Sequence, residues 1–236
     1  MTHEIIIPIP SGIEKEDAYQ VLKWALNKFH PKIAIASSFG AEDVVLIDMA
    51  SKIIPKPRVF TLDTGRLHQE TYSLMDRIRE RYAIDIELYF PETSAVEEIT
   101  RKYGVNLFYK SVELRELCCK VRKVEPLKRA LASLDAWITG LRREQAPTRS
   151  TVKKVEYDQN GKLKINPLAD WTNQQVWDYI KEYNVPYNPL HDQGYPSIGC
   201  LPCTRPVKRG EDPRSGRWWW EKGAHKECGL HLKTAK

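Results

Sequence analysis

The chain has 236 residues, 42% of them hydrophobic, with a formal net charge of +6 and a pI near 9.0. That is enough length for one large domain with an appendage, and enough apolar content for a real core. No apolar run is long enough to span a bilayer. Met1-Thr2-His3-Glu4 lacks the basic and apolar regions of a signal peptide, so the expectation is a soluble, cytoplasmic protein with no membrane partner.

Five cysteines in such a chain point to metal or catalysis ahead of disulfides. The charge is uneven: from Arg205 to Lys236 there are nine Lys or Arg against four Asp or Glu. A basic segment of this kind calls for an anion, whether nucleic acid, a membrane surface or a small phosphorylated substrate.

In chain order, residues 14–29 have helical spacing, with Ala18, Val21, Leu22, Ala25 and Leu26 on one face. Ile33-Ala34-Ile35-Ala36 is a short buried strand. It runs into Ser37-Ser38-Phe39-Gly40-Ala41-Glu42-Asp43, and a helix through Val44 to Met49 follows. Strand, small polar loop, helix is an order that aims backbone N–H groups and a helix dipole at an anion. The Gly-Lys-Ser/Thr of a Walker A loop is missing, and a serine there also serves as a plain helix cap. The unit recurs. Residues 58–62 form a strand ending in Asp63-Thr64-Gly65, with a helix to Tyr82. Residues 84–90 form a third strand, followed by a helix over 97–103 that Gly104 stops. Residues 111–121 are helical and carry Cys118-Cys119; Pro126 opens a separate helix to Leu134. Residues 136–140 form a fourth strand, followed by Leu141-Arg142-Arg143-Glu144-Gln145 and Arg149. Residues 152–166 form a hairpin about an Asn-Gly turn, and residues 172–183 a helix.

Alternating strands and helices predict an α/β fold with a mainly parallel sheet. Ligands of such sheets bind beyond the carboxyl ends of the strands, where Ser37, Ser38, Gly40, Asp63, Thr64 and Gly65 all fall. After Val185 regular structure is expected to stop, because six prolines and Gly194 and Gly199 interrupt the next thirty residues. The expected division is residues 1–185 as the α/β domain and 186–236 as an irregular segment packed on it. Trp218-Trp219-Trp220 is too apolar to leave wholly in solvent.

Cys200-Leu201-Pro202-Cys203 is a loop pair suited to one metal centre, and Cys118-Cys119 is a vicinal pair. Four thiolates suit zinc or an iron–sulfur cluster. An adjacent pair fits a zinc knuckle badly, which puts the cluster ahead. A redox Cys-x-x-Cys is the rival, but no thioredoxin-like strand precedes it. The fifth cysteine, Cys228, stands among His225, Lys226 and His231 near the C-terminus. Such neighbours raise the thiolate fraction, so Cys228 is a candidate nucleophile beside the plainer reading of a spare thiol.

Together these motifs resemble the assimilatory adenylylsulfate (APS) reductases of bacteria and plants. The resemblance rests on Ser37-Ser38-Phe39-Gly40, Leu62-Asp63-Thr64-Gly65 and Cys118-Cys119. It continues through residues 139–145, Cys200-x-x-Cys203, Arg214-x-x-Arg217-Trp218 and Glu227-Cys228-Gly229-Leu230-His231. It implies an adenine-nucleotide α-hydrolase-like (Rossmann-like) fold and reduction of APS to sulfite and AMP. It also implies a [4Fe–4S] cluster on Cys118, Cys119, Cys200 and Cys203. Cys228 would attack sulfur to form an S-sulfonate, which thioredoxin or glutaredoxin resolves. Lys123 would touch both cluster and substrate, and Arg149, Arg214 and Arg217 would clamp the phosphosulfate. Leu62, Asp63, Thr64 and Gly65 would meet the adenosine, and His231 would steady the tail. Family members are commonly dimers or tetramers, which implies a homo-oligomer. The rivals are a reductase for the 3′-phosphorylated substrate (PAPS), a dual APS/PAPS enzyme, and a zinc-stabilised nucleic-acid-binding protein suggested by the basic tail. The last leaves Cys228 and both strand-end loops without a role, so no nucleic-acid partner is expected.

Overall fold

The computed structural model of the chain describes residues 8–221. Cys228 and His231 lie outside the described residues. The helices are α1 (Ala18–Phe29), α2 (Ala41–Ile53), α3 (Gln69–Tyr82), α4 (Thr93–Tyr103), α5 (Val112–Cys119), α6 (Glu125–Leu131) and α7 (Asn173–Glu182). The strands are β1 (Ile33–Ala36), β2 (Val59–Leu62), β3 (Ile86–Tyr89), β4 (Ala136–Ile138), β5 (Val155–Tyr157) and β6 (Leu163–Ile165). They form one sheet in the order β3-β2-β1-β4-β6-β5, parallel throughout except for the β5–β6 hairpin.

The strand residues alternate between two apolar layers. Ile33, Ile35, Val59, Ala136 and Ile138 join the main core, which α1, α2 and α7 complete. Ala34, Phe60 and Trp137 face the other way and meet Ala130, Leu131 and Leu134 at the end of α6. Successive side chains of a strand point to opposite faces, so a continuous apolar run here means a sheet covered on both sides. The first helix shows how local signals place an element. Asp17 accepts from the Gln20 N–H at 2.8 Å to start α1, and six residues at helical spacing are buried. Each large one stabilises the fold by about 2 kcal/mol relative to exposure.

Two expectations are corrected. The fourth helix begins at Thr93, a turn earlier than residue 97, while Gly104 does end it, at φ +90°. Residues 112–131 are one continuous helical run in place of two helices. A π turn over Lys120–Val124 joins α5 to α6, with the Glu125 N–H donating to the Lys120 carbonyl. The wider turn accommodates Pro126, whose ring lacks an N–H and clashes with the preceding turn of a regular helix. It also places Cys118 and Cys119 in the last turn of α5 and Lys123 on the bulge.

After Val185 the described backbone has only short 3-10 turns and a bridge between Thr204 and Arg217. Trp218 is 1% exposed, Trp220 is partly buried and Trp219 half-exposed, so two of the three tryptophans pack. Among the described residues no helix is long and apolar enough to cross a membrane.

Candidate active site

A cavity of about 850 Å³ opens beyond the carboxyl ends of the parallel strands. Its floor is apolar: Ala36, Phe60, Leu62, Leu127 and Trp137 come from β1, β2, β4 and α6. Ser37, Ser38, Gly40 and Thr64 also line it, with Lys123, Arg149, Arg214 and Arg217. The structure therefore brings together most of the residues singled out in the sequence. Asp63 and Gly65 do not line the cavity. The Asp63 carboxylate accepts from the Gly65 N–H and the Tyr72 hydroxyl, both at 2.8 Å, and shapes the turn after β2. Gly65 supplies the positive φ, +69°, that this turn needs.

The loop after β1 departs from the anion cradle its sequence suggests. The Asp43 carboxylate accepts from the Ser38 N–H at 2.7 Å, the Ser38 hydroxyl at 2.9 Å and the Gly40 N–H at 3.3 Å. The Phe39 N–H donates to the Ser37 hydroxyl at 3.1 Å. The Ser38 and Gly40 donors expected to face a ligand are engaged by the loop itself. Burial pushes the Asp43 carboxyl up to about 6, against the hydrogen bonds from Ser38. Glu42 beside it pairs with Arg142 at 2.7 Å, and Arg142 also reaches Glu144. Arg143 donates to the Val152 carbonyl and Glu14. Neither arginine is the loose surface cation that such a basic pair commonly is. Gly140 permits the close approach of this loop, since a Cβ there would lie 2.7 Å from both Asp43 Oδ1 and Glu42 Cβ.

The opposite end is cationic and adjoins the cysteines. Cys118, Cys119, Cys200 and Cys203 border one small pocket with Arg66, Arg115, Arg122, Lys123, Arg217 and Trp218. All four thiols are buried and, among the described residues, free of disulfides. Cys200 and Cys203 sit on a turn held by the Cys203 N–H on the Cys200 carbonyl. Thr64 carries the end of β2 to this turn, its hydroxyl 3.2 Å from Cys200 Sγ. Arg122 fixes Thr64 from the π turn through its carbonyl at 2.6 Å. Burial and the neighbouring Cys200 and Cys119 push the Cys203 thiol up to about 12, and burial also raises Cys118. Four buried thiols gathered beside cations suit a group that binds them as thiolates. Two further observations fit such a group. Among the described residues the buried Nε atoms of Arg122 and Arg217 have no hydrogen-bond partner, and both residues border the pocket. Among the described residues no three His, Cys, Asp or Glu side chains are arranged to hold a single metal ion as they stand.

Several cavity residues were not anticipated. Asp43 and Glu42 lie within the recognised loop, but nothing local says that the carboxylates turn inward. Gln145 accepts from Arg149 at 2.6 Å and donates to the Gly140 carbonyl, linking the two ends. His191 lines the cavity with Nδ1 2.8 Å from the Tyr195 carbonyl, and burial pushes its pKa down. A Pro-rich stretch gave no periodicity from which to place it.

Known proteins resemble this chain along most of its length. The chain is 51% identical to an adenosine 5′-phosphosulfate reductase of Burkholderia cepacia over 95% of this chain and 90% of that protein. It is 54% identical to one from Allochromatium vinosum over 85% and 79%. A phosphoadenylyl-sulfate (PAPS) reductase from Candida auris, solved as a phosphate complex, superposes with a TM-score of 0.69 at 31% identity, covering 83% of this chain and 97% of that one. The FMN adenylyltransferase of Candida glabrata, at 16% identity and a TM-score of 0.57 over 93% and 77%, shares the fold alone. Residues 32–206 match the phosphoadenosine phosphosulfate reductase domain, and the chain belongs to that family.

Proposed function

We propose that the chain reduces adenosine 5′-phosphosulfate to sulfite and AMP in sulfate assimilation. The observation that carries this is one cavity with an apolar floor at the strand ends and a cationic end built against four cysteines. It occurs in a chain about half identical to named APS reductases.

The adenosine lies on the apolar floor, beside Leu62 and Thr64, with Asp63 and Gly65 holding the turn that presents them. Ser37, Ser38 and Gly40 shape the opposite wall. The phosphosulfate meets Lys123, Arg149, Arg214 and Arg217, whose fixed charge favours the negative charge that grows on the departing phosphate. The Cys228 thiolate attacks the sulfate sulfur. The bond from that sulfur to the phosphate oxygen breaks, AMP leaves with the electron pair, and the sulfonate stays on Cys228. His231 steadies the tail during this step. A dithiol protein of the thioredoxin or glutaredoxin type then attacks the Cys228 sulfur, and sulfite departs with its electron pair. The reductant's second thiol resolves the mixed disulfide, leaving Cys228 reduced and the reductant oxidised.

The cofactor we infer is a [4Fe–4S] cluster on Cys118, Cys119, Cys200 and Cys203. Such a cluster carries iron at several corners, so its thiolates need not converge on one point. When bound, it supplies fixed charge beside the phosphosulfate end. Lys123, Arg122 and Arg217 are the cations placed to balance that charge. The segment from residue 186 onward is read as part of the same folding unit, the protein as a cytoplasmic homo-oligomer.

The test is intact-mass analysis of anaerobically purified protein given APS or PAPS without reductant. The expected result is an adduct with APS that is lost in Cys228→Ser and removed by thioredoxin. Equal adduct at low concentrations of either substrate would replace the APS reading with the dual one. No adduct with either would remove Cys228 from the mechanism.

A further inference from the structure

A buried ion pair ends the described chain at Glu221, and its role rests on the reading of Cys228 as nucleophile. Arg115 stands three residues before Cys118 on α5 and is 1% exposed. Its Nε and Nη2 donate to the two carboxylate oxygens of Glu221, at 2.8 and 3.1 Å. The Glu221 side chain is itself only 7% exposed. The Arg115 guanidinium lies 4.9 Å from the centroid of the Trp218 ring, and the Arg217 guanidinium lies 4.8 Å from the same centroid. Trp218 is held in turn by its N–H on the Cys203 carbonyl at 3.1 Å, and the Glu221 N–H closes a turn on the Trp218 carbonyl at 2.9 Å. Trp218 adopts φ +43°, an uncommon conformation for a residue with a bulky side chain. One cluster of contacts thus joins the cysteine-bearing helix, the Cys-x-x-Cys turn, a cavity arginine and the last described residue.

A buried two-pronged ion pair is a poor source of net stability, because apolar residues of like volume do as well. Its distinctive property is fixed geometry. Seven positions separate Glu221 from Cys228, a reach of at most about 25 Å when fully extended. Over so few residues, the position at which Glu221 is fixed bounds where the thiol can act. We propose that Arg115 and Glu221 are positioning residues. Their ion pair clamps the tail root to the cysteine-bearing helix and so directs Cys228 toward bound substrate. Neither residue touches the substrate.

The test uses the full-length, cluster-loaded protein and two variants. Glu221→Gln breaks the pair. The double variant Arg115→Met with Glu221→Leu removes both charges of the pair and strands neither partner, which guards against simple misfolding. Four quantities are read: iron and sulfide content, APS dissociation constant on a Cys228→Ser background, single-turnover adduct formation at Cys228, and Cys228 alkylation by iodoacetamide with APS bound. The clamp predicts normal iron and sulfide and APS affinity within about two-fold. It predicts adduct formation at least about ten-fold slower, and faster alkylation, since the thiol is no longer directed into the cavity. Adduct formation within two-fold of the parent in the double variant would overturn the proposal. So would a fall in APS affinity and iron content in step with the rate, which is what a merely structural pair would give. Absence of the adduct in the parent protein would overturn the nucleophile assignment and the clamp with it; an unchanged rate in variants of an adduct-forming parent overturns the clamp alone.

Discussion

The two ends of the cavity use similar residue types in opposite ways. At the loop after β1 the hydrogen-bond donors are engaged by the loop, since Asp43 accepts from Ser38 and Gly40. Glu42 neutralises Arg142 there. At the cysteine end, Lys123 and Arg217 line both the cavity and the cysteine pocket, and the buried Nε atoms of Arg122 and Arg217 have no hydrogen-bond partner among the described residues. A buried donor without a partner is costly by itself and favourable once an anion or a thiolate-bound group accepts from it. Under the proposed function, the anionic part of the substrate is therefore assigned to the cysteine end, and the loop after β1 to the opposite wall.

The comparison breaks most directly at Arg217. Replacing Arg217 with Met is expected to lower kcat/KM by about 100- to 1000-fold, as for other groups that stabilise charge in a transition state. Steady-state rates on APS would check this, and a loss under about ten-fold would move the anion elsewhere.

Next in size is Asp43. Its carboxyl is raised from 3.8 to about 6 in the folded protein, so the fold binds this proton more tightly than the unfolded chain does. The stability it contributes is fully present below about pH 4 and is lost as pH rises through about 6, a change of up to about 3 kcal/mol. Asp43→Asn keeps an acceptor for the Ser38 N–H and removes the titration. Urea denaturation at pH 4.5 and 7.5 should therefore show the variant gaining on the parent at the higher pH. An equal difference at both values would mean that Asp43 ionises normally.

A smaller effect sharpens the role of Arg217. A Cβ at Gly199 would collide with the Arg217 guanidinium. Gly199→Ala should displace that group and cost about ten-fold in kcat/KM, with folding retained by far-ultraviolet circular dichroism. The smallest expected change is at Ser38, whose hydroxyl is already held by Asp43. Ser38→Ala should cost less than about ten-fold in kcat/KM, near the value of one neutral hydrogen bond. A loss as large as that of Arg217→Met would mean that Ser38 leaves Asp43 to bind substrate.

The sheet strands, the apolar face of the first helix and the hairpin were legible because each depends on a few neighbouring residues. Ile33-Ala34-Ile35-Ala36 alternates between two buried faces, Val21, Leu22, Ala25 and Leu26 recur at helical spacing, and Asn160-Gly161 turns its own hairpin. The π turn was not legible, because it is a compromise between Pro126 and the need to continue the helix. The insertion of β6 beside β4, ahead of β5, was hidden because sheet order is set by long-range pairing.

For the site, the sequence by itself determined which chemistry is possible: four cysteines in two pairs, a fifth among cations, and two small polar loops at strand ends. Those are properties of residue type and spacing. Only the tertiary structure decided which donors are engaged and which remain open. Asp43 closing on Ser38 and Thr64 meeting Cys200 across 136 positions depend on which groups compete for the same partner once the sheet is assembled, as does Arg115 clasping Glu221 across 106. That competition is settled by burial, which penalises each unpaired polar group, and burial has no signature in a short stretch of sequence.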